Sequence, residues 1–456
     1  MTGIKELCEK QRRLFESEIT RNMAFRKACL QKLKKEIAEN EADIMEALKK
    51  DLNKSAFETY ATEIGMVLEE INFMLKNMKR LLSARQVRTP VTQFPASSRI
   101  YQEPYGTILI MSPWNYPFQL AMVPLVGAIA CGNCAIIKPS NYSPETSKVI
   151  RKVVSKVFDA SHVAVIEGGR EVNQSLLDNK FDLIFFTGSI EVGKIVMEKA
   201  AKHLTPVVLE LGGKSPCIVD KTADIRMAGK RIAWGKCLNA GQTCVAPDYL
   251  LVHRAVKEEL TREIIKNVKK MYTGHPEKNP EFPKIINRKH FERLNDLIGT
   301  GKVIYGGGSN GDTNQIAFTL MDWVSWEDPV MQEEIFGPVL PMIEYENIEE
   351  VIHRINRRPK PLALYLFTRS KAIQHRVVHS IAYGGGCIND TIVHLATSYM
   401  AFGGVGESGM GAYHGKESIR TFSHSKSVLK KSNLIDIPVR YAPYGGKLGL
   451  LKKIMK

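Results

Sequence analysis

Long apolar runs are missing from this 456-residue chain. None approaches the ~18 residues that a membrane span requires, so no integral membrane segment is expected. The opening MTGIKELCEKQRRLFESEITR is dense in charge and lacks the apolar stretch of a secretory signal. Eight cysteines are few for this length and lack the even spacing of a small secreted scaffold. Together these absences point to a reducing compartment, and the expected location is the cytoplasm. Cys131 and Cys134 form one CxxC, but no second pair and no histidine pair completes a zinc site, so they read as two small packed residues and no metal is expected. Internal repeats and low-complexity segments are also lacking.

One charge sign is in excess: 64 Lys and Arg against 48 Asp and Glu give +16. The basic residues are spread out, densest in the N-terminal region (Lys32, Lys34, Lys35) and in the tail LGLLKKIMK. No basic run is interleaved with aromatics as a nucleic-acid stacking platform requires, so nucleic acid is not an expected partner. Solubility and attraction of an anionic cofactor account for the excess. The tail reads as a solvated terminus.

Residues 4–84 read as helices, with Leu30, Leu33, Ile37, Ile44 and Leu48 near helical spacing. The stretch from Val87 to Ser98 holds Pro90 and Pro95 and reads as an extended arm or edge strand. From Tyr101 the runs GTILIMS, CAIIKPS, HVAVIEGG, FDLIFFTGS and PVVLELGG alternate with helical patterns such as Val192 to Leu204. A second series of apolar runs follows Gly212, at Pro216–Val219, Tyr249–Val252, Pro338–Ile343 and Leu362–Phe367. Two such series predict an α/β protein with two Rossmann-like open parallel sheets, and function in the crevice at the strand C-termini.

Chemistry concentrates at a few positions. Cys244 in NAGQTCVAP follows a glycine-containing turn that can leave its backbone N–H free, a setting for a nucleophile whose oxyanion needs a donor. A packed structural cysteine is the alternative at any single position. Glu210 closes the run VVLELGG, where a carboxylate at a strand end can act as general base or simply cap the strand. Asn115 in PWNYP lies between two prolines that fix the backbone, and its amide can donate to an oxyanion or merely form a turn. GSIEVGKI nearly spells a nucleotide-binding P-loop, but Ile195 stands where Ser or Thr would hold Mg²⁺, which disfavours ATP hydrolysis. Glycines opening a helix after a strand still suit a dinucleotide pyrophosphate, although the strict GxGxxG is absent.

In order and wording, EPYGTILIMSPWNYPF, GNCAIIKPS, FTGSIEVGKI, LTPVVLELGGKSP, GQTCVAPDY, PVMQEEIFGPVLP and FGGVGESGMGAYHGKESIRTFSH resemble the aldehyde dehydrogenase superfamily. The last block and the short N-terminus are most similar to its class 3 branch of fatty and aromatic aldehyde dehydrogenases. The resemblance implies NAD(P)-dependent oxidation of an aldehyde to a carboxylate through a thiohemiacetal and thioester on Cys244. Asn115 and the Cys244 N–H would form the oxyanion hole, and Glu210 would activate water. Glu334 is a rival base. Cofactor-binding positions implied are Trp114, Lys138, Ser140, Asn141, Gly188, Ser189, Gly193, Glu334 and Phe336. Asn141 stands where many relatives carry Glu, which removes repulsion of a 2′-phosphate and predicts use of NADP as well as NAD.

The implied organisation is a dinucleotide-binding domain over 1–85 and 101–210 and a catalytic domain over 211–405. An oligomerisation arm over 86–100 and 406–435 and a tail over 436–456 complete it. A homodimer and a medium- or long-chain aliphatic or aromatic aldehyde are the expected partners, with a substrate funnel drawn from Tyr116, Met122, Tyr399 and Met400. Two other readings stay open. A CoA-acylating relative would resolve the thioester with thiol, and a structural protein on the same scaffold would not turn over at all.

Overall fold

A computed structural model describes residues 2–455. Two open sheets carry the fold. One orders its strands Gly409–Met410, Val207–Leu211, Leu183–Gly188, Thr107–Met111, Cys134–Lys138 and Val163–Val165. Its pairs are parallel except the short edge strand Gly409–Met410. The other orders Lys302–Tyr305, Thr319–Asp322, Val339–Tyr345, Tyr249–His253, Pro216–Val219, Ala363–Phe367 and Gly385–Ile388, parallel except at its first pair.

Parallel strands sealed on both faces should read as continuous apolar runs, and TILIM, CAIIK and ALYLF are buried at every position. The two-residue side-chain period then divides each strand between two layers. Ile108 and Ile110 join the large core under the N-terminal helices, whereas Leu109 and Met111 join a smaller one with Cys8, Leu176 and Val196. Leu30, Leu33, Ile37, Ile44 and Leu48 are all fully buried in the large core, as their spacing requires.

Helix Gln119–Cys131 is buried all round. It stops at Gly132, whose φ of 93° is left-handed and where a Cβ would lie 2.7 Å from the Thr20 carbonyl. Cys131 and Cys134 are both buried and free, and no group of three or more metal-ligating side chains exists among the described residues.

A third sheet joins Arg85–Val87, Ala96–Pro104 and Ser423–Lys431, antiparallel throughout. Residues 406–422, grouped with the arm on sequence, lie elsewhere. Gly409 and Met410 pair with Glu210 and Leu209 at the edge of the six-stranded sheet, and Ile419 and Phe422 sink into the large core. The glycines of FGGVGESGMG allow that close docking, since a Cβ on Gly409 would fall 2.1 Å from the Leu209 carbonyl. The tail carries a short exposed helix, Leu448–Ile454. No helix among the described residues is long and apolar enough to cross a membrane.

Candidate active site

Four neighbouring parallel strands deliver their C-terminal ends to one place. Lys138 and Gly188 end their strands, Glu210 sits one residue short of the end of Val207–Leu211, and Thr107–Met111 runs out into the PWNYP turn bearing Asn115. This is the crevice where open α/β sheets bind ligands. The facing loops bring Cys244 and Glu334.

Cys244 lies beyond helix Ile225–Cys237 and a backbone knot in which Asn239, Ala240 and Gly241 are consecutively left-handed, with φ of 49°, 50° and 71°. Such residues are costly outside glycine and persist only when surroundings over-determine them. Here the Asn239 amide donates to the Asn115 carbonyl at 2.8 Å and to the Gln242 carbonyl at 3.1 Å. Gln242 donates to the Asn239 and Lys284 carbonyls and accepts from the Ile286 N–H. Gly241 must be glycine, since a Cβ there would lie 2.2 Å from the Gly337 carbonyl. The Asn115 side chain donates to Gln242 O at 3.0 Å, and the Tyr116 hydroxyl bonds Thr243 Oγ1 at 2.7 Å. The turn and the nucleophile loop are thereby fastened together.

Cys244 is half-buried at the foot of an apolar cavity of about 160 Å³, whose walls include Tyr116, Leu120, Trp234, Val393, Leu395 and Phe402. Burial, then the carboxylates of Glu334 and Glu210, push its thiol well above the usual range, while the Cys244 and Val245 N–H groups favour the thiolate. Glu210 is buried, and neither carboxylate oxygen has a hydrogen-bond partner. Burial alone raises its carboxyl far above the ordinary value. Glu334 is pushed up to about 8 by burial and by Asp248, against the Gly213 N–H, Lys214 and Lys236.

A second cavity of about 430 Å³ opens beside it, bounded by Ser189, Glu191, Gly212, Lys214, Glu334 and Arg358. Helix Ile190–Ala201 begins here, capped by Ser189, whose hydroxyl accepts from Val192 N–H. Gly193 lets that helix press on its sheet, because a Cβ would come within 2.7 Å of Leu211. Trp114 meets Phe336 edge-on at 5.3 Å. Lys138 is buried, donates to the Pro139 carbonyl at 2.6 Å, and has its amine lowered to about 8 by desolvation. The Ser140 hydroxyl accepts from Tyr142 N–H, and Asn141 is exposed. A helix N-terminus for a pyrophosphate, a carboxylate and an aromatic wall for a nicotinamide riboside, and a lysine two strands along the same sheet edge fit a dinucleotide. The P-loop alternative fails on geometry too: Lys194 is exposed beside Glu191, and Ile195 points out of the fold at 46% exposure.

Of the expected funnel only Tyr116 lines the substrate cavity. Met122 is fully buried within helix Gln119–Cys131 and is corrected, while Tyr399 and Met400 are 81% and 50% exposed outside this cavity. Sequence reasoning missed Lys214 and Asp248. They pair at 2.5 Å and hold the EEIFG loop, Lys214 through the Val330 and Glu333 carbonyls and Asp248 through the Ile335 N–H. It missed Val393 and Leu395 as well, which form a single 3-10 turn too short to show a periodic pattern.

Comparison with known proteins agrees with this geometry. Residues 3–428 match the family described as the aldehyde dehydrogenase family. The chain is 47% identical to 4,4'-diaponeurosporen-aldehyde dehydrogenase of Staphylococcus aureus (strain NCTC 8325 / PS 47), over 100% of both chains. It is 44% identical to aldehyde dehydrogenase family 3 member B1 of Rattus norvegicus, over 97% of this chain and 95% of that one. A solved substrate-bound state of Staphylococcus aureus AldH superposes with a TM-score of 0.98 at 46% identity, covering 99% of each chain. Betaine aldehyde dehydrogenase of Staphylococcus aureus in complex with NAD+ superposes at 0.86 with 26% identity, over 96% and 91%.

Proposed function

Because the chain belongs to the aldehyde dehydrogenase family and is an NAD(P)-dependent oxidoreductase of aldehydes, we propose that it converts an apolar aldehyde to the free acid through a thioester on Cys244. The observation that carries this reading is a half-buried thiol that lines an apolar cavity, in a loop fastened to the turn bearing Asn115. A neighbouring carboxylate takes the thiol proton as sulfur adds to the carbonyl carbon. The tetrahedral oxyanion is received by the Asn115 amide and the Cys244 N–H, donors fixed before the reaction starts. A nicotinamide held along Trp114, Phe336 and Glu334 supplies the hydride acceptor that leaves the carbon as a thioester.

Glu210 then activates water for hydrolysis. Its two oxygens have no protein hydrogen-bond partner, which leaves both for that water. Lys138, Ser140, Gly188, Ser189 and Gly193 are assigned to the rest of the dinucleotide. With Asn141 in place of an acidic residue, NADP is a second cofactor; a kcat/KM for NADP more than about a thousandfold below that for NAD, ~4 kcal/mol, contradicts this. The apolar walls support a medium- or long-chain aliphatic or aromatic aldehyde, in keeping with the aldehyde in the name of the Staphylococcus relative.

The exposed apolar side chains of the arm, Phe94, Val428 and Leu429, support a homodimer built through that arm. Sedimentation at a single-chain mass contradicts it. The functional test is a panel of aldehydes graded by chain length, followed by NADH or NADPH absorbance and by product analysis. Free acid is expected; acyl-CoA as the obligatory product contradicts the assignment.

A further inference from the structure

Three charged side chains of the N-terminal helical region are buried behind the active site. Lys54 and Glu63 pair at 2.5 Å with both side chains fully shielded from solvent. Glu58, 8% exposed, accepts from the Asn239 N–H at 2.8 Å. Burying an ion pair costs several kcal/mol per ion and is weak evidence for stability, since apolar residues fill such space as well. Each contact of Lys54 has another meaning. Its ammonium donates to Glu63 and, at 3.0 Å, to the Asn115 carbonyl, and it lies 3.9 Å from the centre of the Tyr116 ring. Glu63 spends its second oxygen on the Phe118 and Gln119 N–H groups, both at 3.0 Å. All of these partners flank or carry Asn115.

The circuit closes through the nucleophile loop. The Asn115 carbonyl takes its second donor from Asn239, and the Asn115 amide donates to Gln242, two residues before Cys244. We infer that Lys54, held by Glu63, is a positioning residue that sets the oxyanion-binding amide of Asn115 relative to Cys244 by anchoring the Asn115 carbonyl. The inference rests on the oxyanion role proposed for Asn115. A donor displaced by ~1 Å costs on the order of a hundredfold in rate, so removal of the anchor lowers turnover far more than binding.

The test is a double-mutant cycle of Lys54→Met with Asn115→Ala, using aldehyde oxidation and the cofactor-free hydrolysis of a p-nitrophenyl ester, with melting temperature recorded. Lys54→Met is expected to lower kcat about 100-fold for both reactions with KM changed less than about threefold. In the Asn115→Ala background it should add less than about threefold, because the group it positions is gone. Full multiplication of the two losses, or a kcat for Lys54→Met within threefold of the parent, overturns the inference while leaving the aldehyde dehydrogenase mechanism standing. A parent protein inert toward aldehydes overturns the mechanism and this inference with it. Should Lys54→Met not fold, Asn239→Gly suits the left-handed backbone at that position, removes the second donor to the same carbonyl, and must show the same kcat loss and the same non-additivity.

Discussion

Two buried carboxylates of this fold have opposite surroundings. Behind the site, Glu63 accepts from the Lys54 ammonium and from two backbone N–H groups. Near the end of strand Val207–Leu211, Glu210 has no protein hydrogen-bond partner for either oxygen. Both are buried, and both have their carboxyl pKa raised, chiefly by that burial. A carboxylate held by three donors fixes structure; one with no protein donor is destabilised as an anion and seeks a proton or a water. Burial alone does not mark a base. The base proposed above differs from Glu63 in having no protein partner.

Substitutions at the two positions should therefore separate rate from stability. Glu210→Gln keeps the shape and removes the base, so the thioester forms but its hydrolysis falls about 10²- to 10⁴-fold, with melting temperature unchanged or raised. A rapid NADH burst followed by a nearly flat steady state is the expected trace; equal loss of burst and steady state breaks the comparison. Glu63→Gln leaves the Lys54 ammonium without its counter-charge and should destabilise the fold by about 3–5 kcal/mol, read from denaturant midpoints. A midpoint equal to the parent's would place Glu63 in the same class as Glu210.

Glu58 gives a smaller, pH-dependent effect. Burial raises its carboxyl to about 7, with Lys54 opposing. A glutamate in the unfolded chain titrates near ~4.3. Between those values the folded state keeps a proton that the unfolded chain has released, so the stability linked to Glu58 is full at low pH, declines as pH rises through the window, and levels off above it. Glu58→Gln, which can still accept from Asn239, should flatten that slope in melting temperatures taken across the window. An unaltered slope assigns the titration elsewhere. Smallest is Asn141→Glu: restoring a carboxylate at this exposed position should shift the kcat/KM ratio toward NAD by about tenfold, ~1.4 kcal/mol, with stability unchanged.

The same contrast explains what was legible in the amino-acid order. Strand-end residues were readable, because an apolar run stopping at Glu210 or before Ser189 places the next polar group at a sheet edge. The glycine-bearing turn before Cys244 was readable, while the role proposed for its thiol came from the family resemblance. Met122 was misplaced because its helix is apolar all round and so shows no face to distinguish core from cavity. Tyr399 and Met400 lie in a loop, where neither helical nor strand period predicts direction. Lys54, Glu58 and Glu63 look like the solvated side of a helix, and only the fold reveals that the Asn115 carbonyl and the Asn239 N–H wait for them. Residues 406–422 were grouped with the arm on the family resemblance alone, whereas their glycines serve close contact with the sheet.

The covalent role of Cys244 is tested most directly by acid-quenching Glu210→Gln during turnover with aldehyde and NAD and measuring intact and peptide mass. An acyl group on Cys244, absent without cofactor and absent from the Cys244→Ser form, is the predicted result. An unmodified Cys244 under conditions where NADH has been produced, or sustained aldehyde oxidation by Cys244→Ser, would contradict it.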